Sequence, residues 1–148
     1  RLFIDIPGNG IMLAIPLKSV GGGKTLAVLT GGAAPDTSAA PGKFEHELIT
    51  VIANEGHTDE VMDAARSAGA AGGTVLHAKG TGAQRAEKFL GVSLADEEEL
   101  IIIVSRASEK AAIMKAIASQ AGPGTRAGAV CFSLPITAVA GLRMLEDE

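Results

Sequence analysis

Residues 48–53, LITVIA, form an apolar run rich in β-branched side chains, a pattern that predicts a buried strand. The period then changes. Val61, Ala64, Ala65 and Ala68 recur at i, i+3, i+4 and i+7, which is one face of a helix. Thr58 stands where a cap is wanted, and Asp59 and Glu60 fall in the first turn, beside the positive end of the helix dipole. Gly69 predicts the stop. Residues 74–77 read as a second strand, and a polar stretch opened by Gly80 and Gly82 runs to about residue 98. Residues 99–105, containing LIIIV, predict a third strand that is apolar on both faces. Ser108 is placed to cap a second helix with the stripe Met114, Ile117, Ala118 and Ala121, which Gly122, Pro123 and Gly124 break. Residues 129–134 predict a fourth strand ended by Pro135.

The order β-α-β-β-α-β is that of the ferredoxin-like split unit, an α+β sandwich. Its two helices cover one face of a four-stranded sheet. The third strand is apolar on both sides, so the other face also needs cover. With no further long helix in this unit, sister copies are expected to supply it, as a homo-oligomer closed through the sheet face. The alternative is that the N-terminal piece of the same chain lies over that face.

That N-terminal piece is set apart by residues 31–43, GGAAPDTSAAPGK, which have the composition of a flexible linker. The division expected is therefore residues 1–30, a linker at 31–43, and a domain at 44–148. Residues 11–22, IMLAIPLKSVGG, resemble residues 130–141, VCFSLPITAVAG. Setting Pro16 against Pro135 aligns apolar with apolar at nearly every position and brings Val20 onto Val139 and Gly22 onto Gly141. Residues 1–30 are accordingly read as the C-terminal strand region of a preceding copy of the domain. The chain starts at Arg1 and not at Met, so its natural start is expected upstream.

Composition narrows the function. The 148 residues are 47% hydrophobic and 20% charged, which excludes disorder throughout. Aromatic residues make up 3%, with no Trp or Tyr, and the formal charge is −4. Both argue against nucleic acid, which calls for stacking platforms and basic surfaces, and the charge argues against an anionic membrane surface. Apolar runs such as 100–104 are far short of the roughly 20 residues of a membrane span. Cys131, the single cysteine, makes no internal disulfide, and a reducing, cytoplasmic setting is expected. His46, His57 and His77 are scattered without ligand spacing, so no metal site is assigned. No nucleophile, base and orienting residue can be assembled, so the chain is not expected to be an enzyme.

The candidate chemistry lies in residues 72–89, GGTVLHAKGTGAQRAEKF. Gly80 and Gly82 remove side chains where backbone N–H groups could approach an anion. Lys79 and Arg85 add positive charge, and Gln84 offers an amide oxygen. The segment is neither a Walker loop nor a dinucleotide fingerprint, because the closing Gly-Lys-Ser/Thr and the third glycine are missing. Lys88 and Phe89 further along are candidates for contact with a partner protein.

This segment and the element order resemble the PII nitrogen-regulatory signalling proteins and their PII-like relatives, over roughly residues 46–143. The family pattern ending the second strand runs Thr-Val, three residues, Lys-Gly, one residue, Gly-Arg-Gln. Thr74, Val75, Lys79, Gly80, Gly82 and Gln84 match it, and Ala83 stands at the arginine. The resemblance implies a trimer that binds adenine nucleotides (ATP, ADP or AMP) in clefts between subunits. It implies a regulated partner protein contacted through the T-loop after strand two, here the segment of Arg85, Lys88 and Phe89. By the same resemblance Gly80 and Gly82 line the nucleotide cleft, and Gln84 matches a glutamine that helps hold a metal ion and an oxoacid effector. Arg143 matches one of two C-terminal arginines that reach phosphate, and Gly141 occupies the other position. The family's phosphate-binding turn before strand four carries a lysine at the position of Val130. Here the turn is GPGTRAG, residues 122–128, in which Arg126 supplies the charge and Gly128 the close backbone. The reading is a regulator of nitrogen metabolism that senses a small anionic effector. The alternative on the same trimeric scaffold is a metal-handling protein of the divalent-cation-tolerance type.

Overall fold

A computed structural model describes residues 10–19, 24, 27–28, 31–33, 44–80, 88–89, 92–93 and 96–142. Within these the chain forms β1 (Met12–Ala14), β2 (His46–Asn54), α1 (Thr58–Ser67), β3 (Thr74–Gly80), β4 (Lys88–Phe89) and β5 (Val92–Ser93). There follow β6 (Asp96–Arg106), α2 (Lys110–Gln120), β7 (Val130–Ile136) and β8 (Ala138–Ala140). Most of the 31–43 linker lies outside the described residues.

The four long strands build one antiparallel sheet in the order β3-β6-β2-β7. With the two helices this is the ferredoxin-like β-α-β-β-α-β arrangement expected from the sequence. Strand periodicity explains the two faces. Ile49, Val51 and Ala53 of β2 and Ile101 and Ile103 of β6 point to the helices and are buried. Val61, Met62, Ala64 and Ala65 of α1 and Ile113, Ile117 and Ala121 of α2 close the same core. On the opposite face Leu48 and Thr50 are shielded by their strand neighbours. Ile52, Leu76, Val130, Phe132 and Leu134 are exposed on it, Phe132 by 44% and Val130 by 56%.

β1 does not lie over that face. It pairs antiparallel with β8 as a separate two-stranded sheet, with Met12 opposite Ala140, Leu13 opposite Val139 and Ala14 opposite Ala138. Thr137 fastens the pair, because its N–H and its hydroxyl both donate to the Ala14 carbonyl, at 2.9 and 3.0 Å.

Several local expectations are corrected. Thr58 opens α1 but does not cap it. His57 holds the cap position, and the Thr58 hydroxyl is engaged by Glu99. Ser108 is likewise not the cap of α2, since a turn through residues 107–109 leads in and Glu109 precedes the first helical residue. The buried stripe of α2 includes Ile113 in place of Ala118, which is exposed. Pro135 sits inside β7, opposite Glu47, and is accommodated because β7 is an edge strand. Residues 96–98, expected as the end of the polar stretch after the second strand, open β6 and pair with the end of β3. Of the two predicted stops, Gly69 has φ +104 just past α1, which only glycine adopts readily. Gly122 is required for a different reason: a Cβ there would collide with the Ala118 carbonyl. No described helix is long and apolar enough to cross a membrane.

Candidate functional site

The last residue of β2, the last of β3, the first of β6 and the turn into β7 meet at one end of the sheet. Register puts them there. Gly80 faces Asp96, Lys79 faces Glu97, Ala78 faces Glu98 and His77 faces Glu99. Glu98 in turn stands opposite Asn54 of β2.

A Cβ on Gly80 would meet the Glu98 carboxylate, the far end of a flexible side chain that can swing aside. Asn54 does a second job. Its side-chain Nδ2 donates to the Arg126 carbonyl at 2.8 Å, and its backbone N–H donates to the Ala127 carbonyl at 2.9 Å. Gly128 completes this contact with φ +57, and a Cβ on it would lie 3.1 Å from Asn54 Nδ2. The 122–128 turn is braced from within as well, since the Thr125 N–H and hydroxyl both donate to the Gly122 carbonyl at 2.9 Å. The result is a braced turn at the same end of the sheet as the base of the long loop, with β6 and β2 between the two and the Arg126 side chain in solvent.

Four of the residues expected from sequence thus fall at this end: Lys79, Gly80, Arg126 and Gly128. Lys79 Nζ lies 3.4 Å from Glu97, and because both side chains are exposed the pair is weak. Gly82, Gln84, Arg85 and Arg143 lie outside the described residues. Lys88 and Phe89 form β4, paired with β5 through Lys88 opposite Ser93 and Phe89 opposite Val92. Sequence reasoning missed Asn54 and Glu98. The signal for Asn54 was faint: a lone polar residue just past an apolar strand run.

The charge at this end is mixed, with Glu97 and Glu98 standing near Lys79. Glu99 is different. It is buried on the helix side, and its carboxyl is held below the ordinary glutamate range, chiefly by the hydrogen bond from Thr58 at 2.5 Å. Burial pulls the other way, while the backbone N–H groups of Gly56 and Thr58 and the nearby His77 reinforce the ionised form. The folded carboxyl therefore binds its proton more weakly than the unfolded one, and the stability it contributes is present above the unfolded value and lost on acidification. Thr58→Val is expected to cost about 1–2 kcal/mol at pH 7. That difference should shrink as pH falls below about 4 and Glu99 becomes protonated. Urea titrations of both proteins from pH 7 to pH 3 read this directly.

Cys131 packs against the core with its Sγ 4.0 Å from the Met114 carbonyl, and burial pushes its thiol up, away from nucleophilic character. A half-open hollow of about 330 Å³ lies at the opposite end of the sheet, between residues 44–46 and 136–139. None of the sequence-predicted site residues lines it. Among the described residues no group of three His, Cys, Asp or Glu side chains is arranged to hold a metal ion.

No protein with a curated description matches the chain. A crystal structure of PII from Arabidopsis thaliana bound to citrate aligns with a TM-score of 0.48 at 17% sequence identity, over 63% of this chain and 76% of that one. The family model for nitrogen regulatory protein P-II matches residues 46–146, the stretch that holds the whole four-stranded sheet, both helices and the braced turn, and the chain belongs to that family.

Proposed function

We propose that the chain is a PII-like regulator. It binds a small anionic effector, an adenine nucleotide, in clefts formed when copies associate, and it relays occupancy to a partner protein through the segment between β3 and β6. Its setting is cytoplasmic and its output lies in nitrogen regulation. Residues 1–30 belong to a preceding copy of the domain, joined by the 31–43 linker. The observation that carries the reading is that Gly80, at the base of the long loop, and the Asn54-braced turn of Arg126 and Gly128 lie at the same end of the sheet. A nucleotide phosphate needs close backbone and accessible cations, and the glycines at 80 and 128 with the exposed Lys79 and Arg126 support that use.

The exposed apolar face supports the association half of the proposal. Leu76, Ile52, Phe132, Leu134 and Val130 form a continuous patch across the sheet, of the kind that marks an interface. Copies closing over it would bring a neighbour's surface to the sheet end where Gly80 and Gly128 lie. The relay is one of order. An anion bridging Lys79, Arg126 and Arg143 would fix a loop base whose cations otherwise repel one another.

Isothermal calorimetry against ATP, ADP, AMP and bicarbonate tests this, with limited proteolysis of the 81–95 segment in parallel. Saturable heat with one nucleotide, with cleavage slowed by the same ligand, is the expected result. Arg126→Ala should weaken that binding roughly tenfold, the loss of one charge-assisted contact. Silence with all four ligands and unchanged cleavage would remove the effector reading.

A further inference from the structure

β8 pairs with a strand that looks like β7. In the alignment that sets Pro16 against Pro135, Met12, Leu13 and Ala14 of β1 fall on Cys131, Phe132 and Ser133 of β7. The chain therefore holds two segments of similar pattern, with Pro16 just past β1 and Pro135 inside β7 at the matching position. One of them, β1, occupies the seat beside β8. The other, β7, is the last strand of the four-stranded sheet, and among the described residues its outer edge has no partner. An unpaired edge of seven residues is a template for another strand.

From this we infer that the outer edge of β7 docks onto β8 of a second copy of the chain, and that β1 competes within its own chain for that same seat. The register follows from the cis pair. Cys131 would face Ala140 of the second copy, Phe132 would face Val139 and Ser133 would face Ala138. The Thr137 N–H and hydroxyl, which now hold the Ala14 carbonyl, would turn to the Ser133 carbonyl of the neighbour. The contact is head-to-tail, with the edge of one copy meeting the tail strand of the next, so it propagates around a ring and closes if the rotation allows. β1 then acts as a built-in competitor. Tethered to its own chain, it meets β8 at a high effective concentration and raises the threshold for assembly. The inference rests on the association proposed above and adds its strand register and its control.

Intermolecular cross-linking tests it. Ala140→Cys places a second thiol opposite the native Cys131 of a neighbour, where directly opposed Cβ atoms come close enough for a disulfide. Air or copper-phenanthroline oxidation is applied to a mixture of isotopically light and heavy chains and read by mass spectrometry. It should give disulfides between Cys131 of one chain and the thiol introduced at position 140 of another. Val139→Cys puts its side chain on the other face, so it should cross-link far less. Ala14→Pro removes the N–H of the residue whose carbonyl already faces β8, and should speed the 131–140 bond by about fivefold or more, the effect of losing a competitor worth roughly 1 kcal/mol. Sedimentation of the reduced proteins is run alongside. Copies that associate without forming the 131–140 bond would overturn the edge register and leave the association standing. Equal cross-linking at 139 and 140, or a rate indifferent to Ala14→Pro, would overturn the register or the competition respectively. A chain that stays single at every concentration would overturn both proposals.

Discussion

Phe132→Glu is expected to leave a folded chain that no longer associates. Phe132 stands on the helix-free face of the sheet, opposite Thr50 of β2, and 44% of it is exposed in the single chain. It contributes little to the core beneath the helices, so circular dichroism and the urea midpoint at low concentration should change little. In the assembly it is the largest side chain of an apolar seam. Its burial there contributes roughly 1.5–3 kcal/mol, and a carboxylate in its place would be desolvated without a partner at a cost of several more. Association weaker by about 100-fold or more follows. Light scattering on the eluting protein over a range of concentrations measures it. The same variant should lose nucleotide binding in step with assembly, since the cleft needs a neighbour. Wild-type assembly in the variant would show that copies meet somewhere other than the sheet face.

Ile103→Ala should have the largest effect on the fold itself. Ile103 is completely buried, lies across from Ile49 in the central β6–β2 pair and faces the helices. Truncating it removes apolar burial and leaves a cavity between sheet and helices, at a cost of about 2–5 kcal/mol. Against a total stability of roughly 5–15 kcal/mol, that is enough to unfold much of the chain under mild denaturant. Ile102, one residue earlier, is half-buried on the open face, and Ile102→Ala should cost well under half as much in the dissociated chain. Equal losses at the two positions would mean that the two faces are equally packed, contrary to the register. Urea unfolding at concentrations below assembly, followed by far-ultraviolet circular dichroism, separates the two.

Both expectations rest on a feature legible in the chain's own pattern. LIIIV cannot be divided into an inside and an outside, so both faces of β6 had to be accounted for. The element order was readable for the same kind of reason: apolar β-branched runs at 48–53 and 99–105, and a helical period between Val61 and Ala68. What failed were the ends. Thr58 and Ser108 have the chemistry of caps, but Thr58 found a stronger acceptor in Glu99, which lies far away in the sequence. Residues 96–98 read as the end of a loop because their partners, Gly80, Lys79 and Ala78, are set by strand register and not by proximity along the chain.

The site shows the same division. Gly80, Lys79, Arg126 and Gly128 were identifiable as residues that leave backbone open or carry charge. Asn54 and Glu98 were not, because each matters only through what it touches. Asn54 and Arg126 are 72 residues apart, and nothing local to either announces the hydrogen bond between them.

By itself, then, the sequence determined which segments become strands and helices, that one sheet face would be left apolar, and that glycines and cations flank the long loop. These follow from side-chain period and backbone freedom, which act over a few residues. Tertiary structure alone decided that Gly80 and Gly128 share one end of the sheet through Glu98 and Asn54, and that β1 turns aside to pair with β8. Those outcomes depend on strand register between distant segments, where a shift of a single residue would send every side chain to the opposite face.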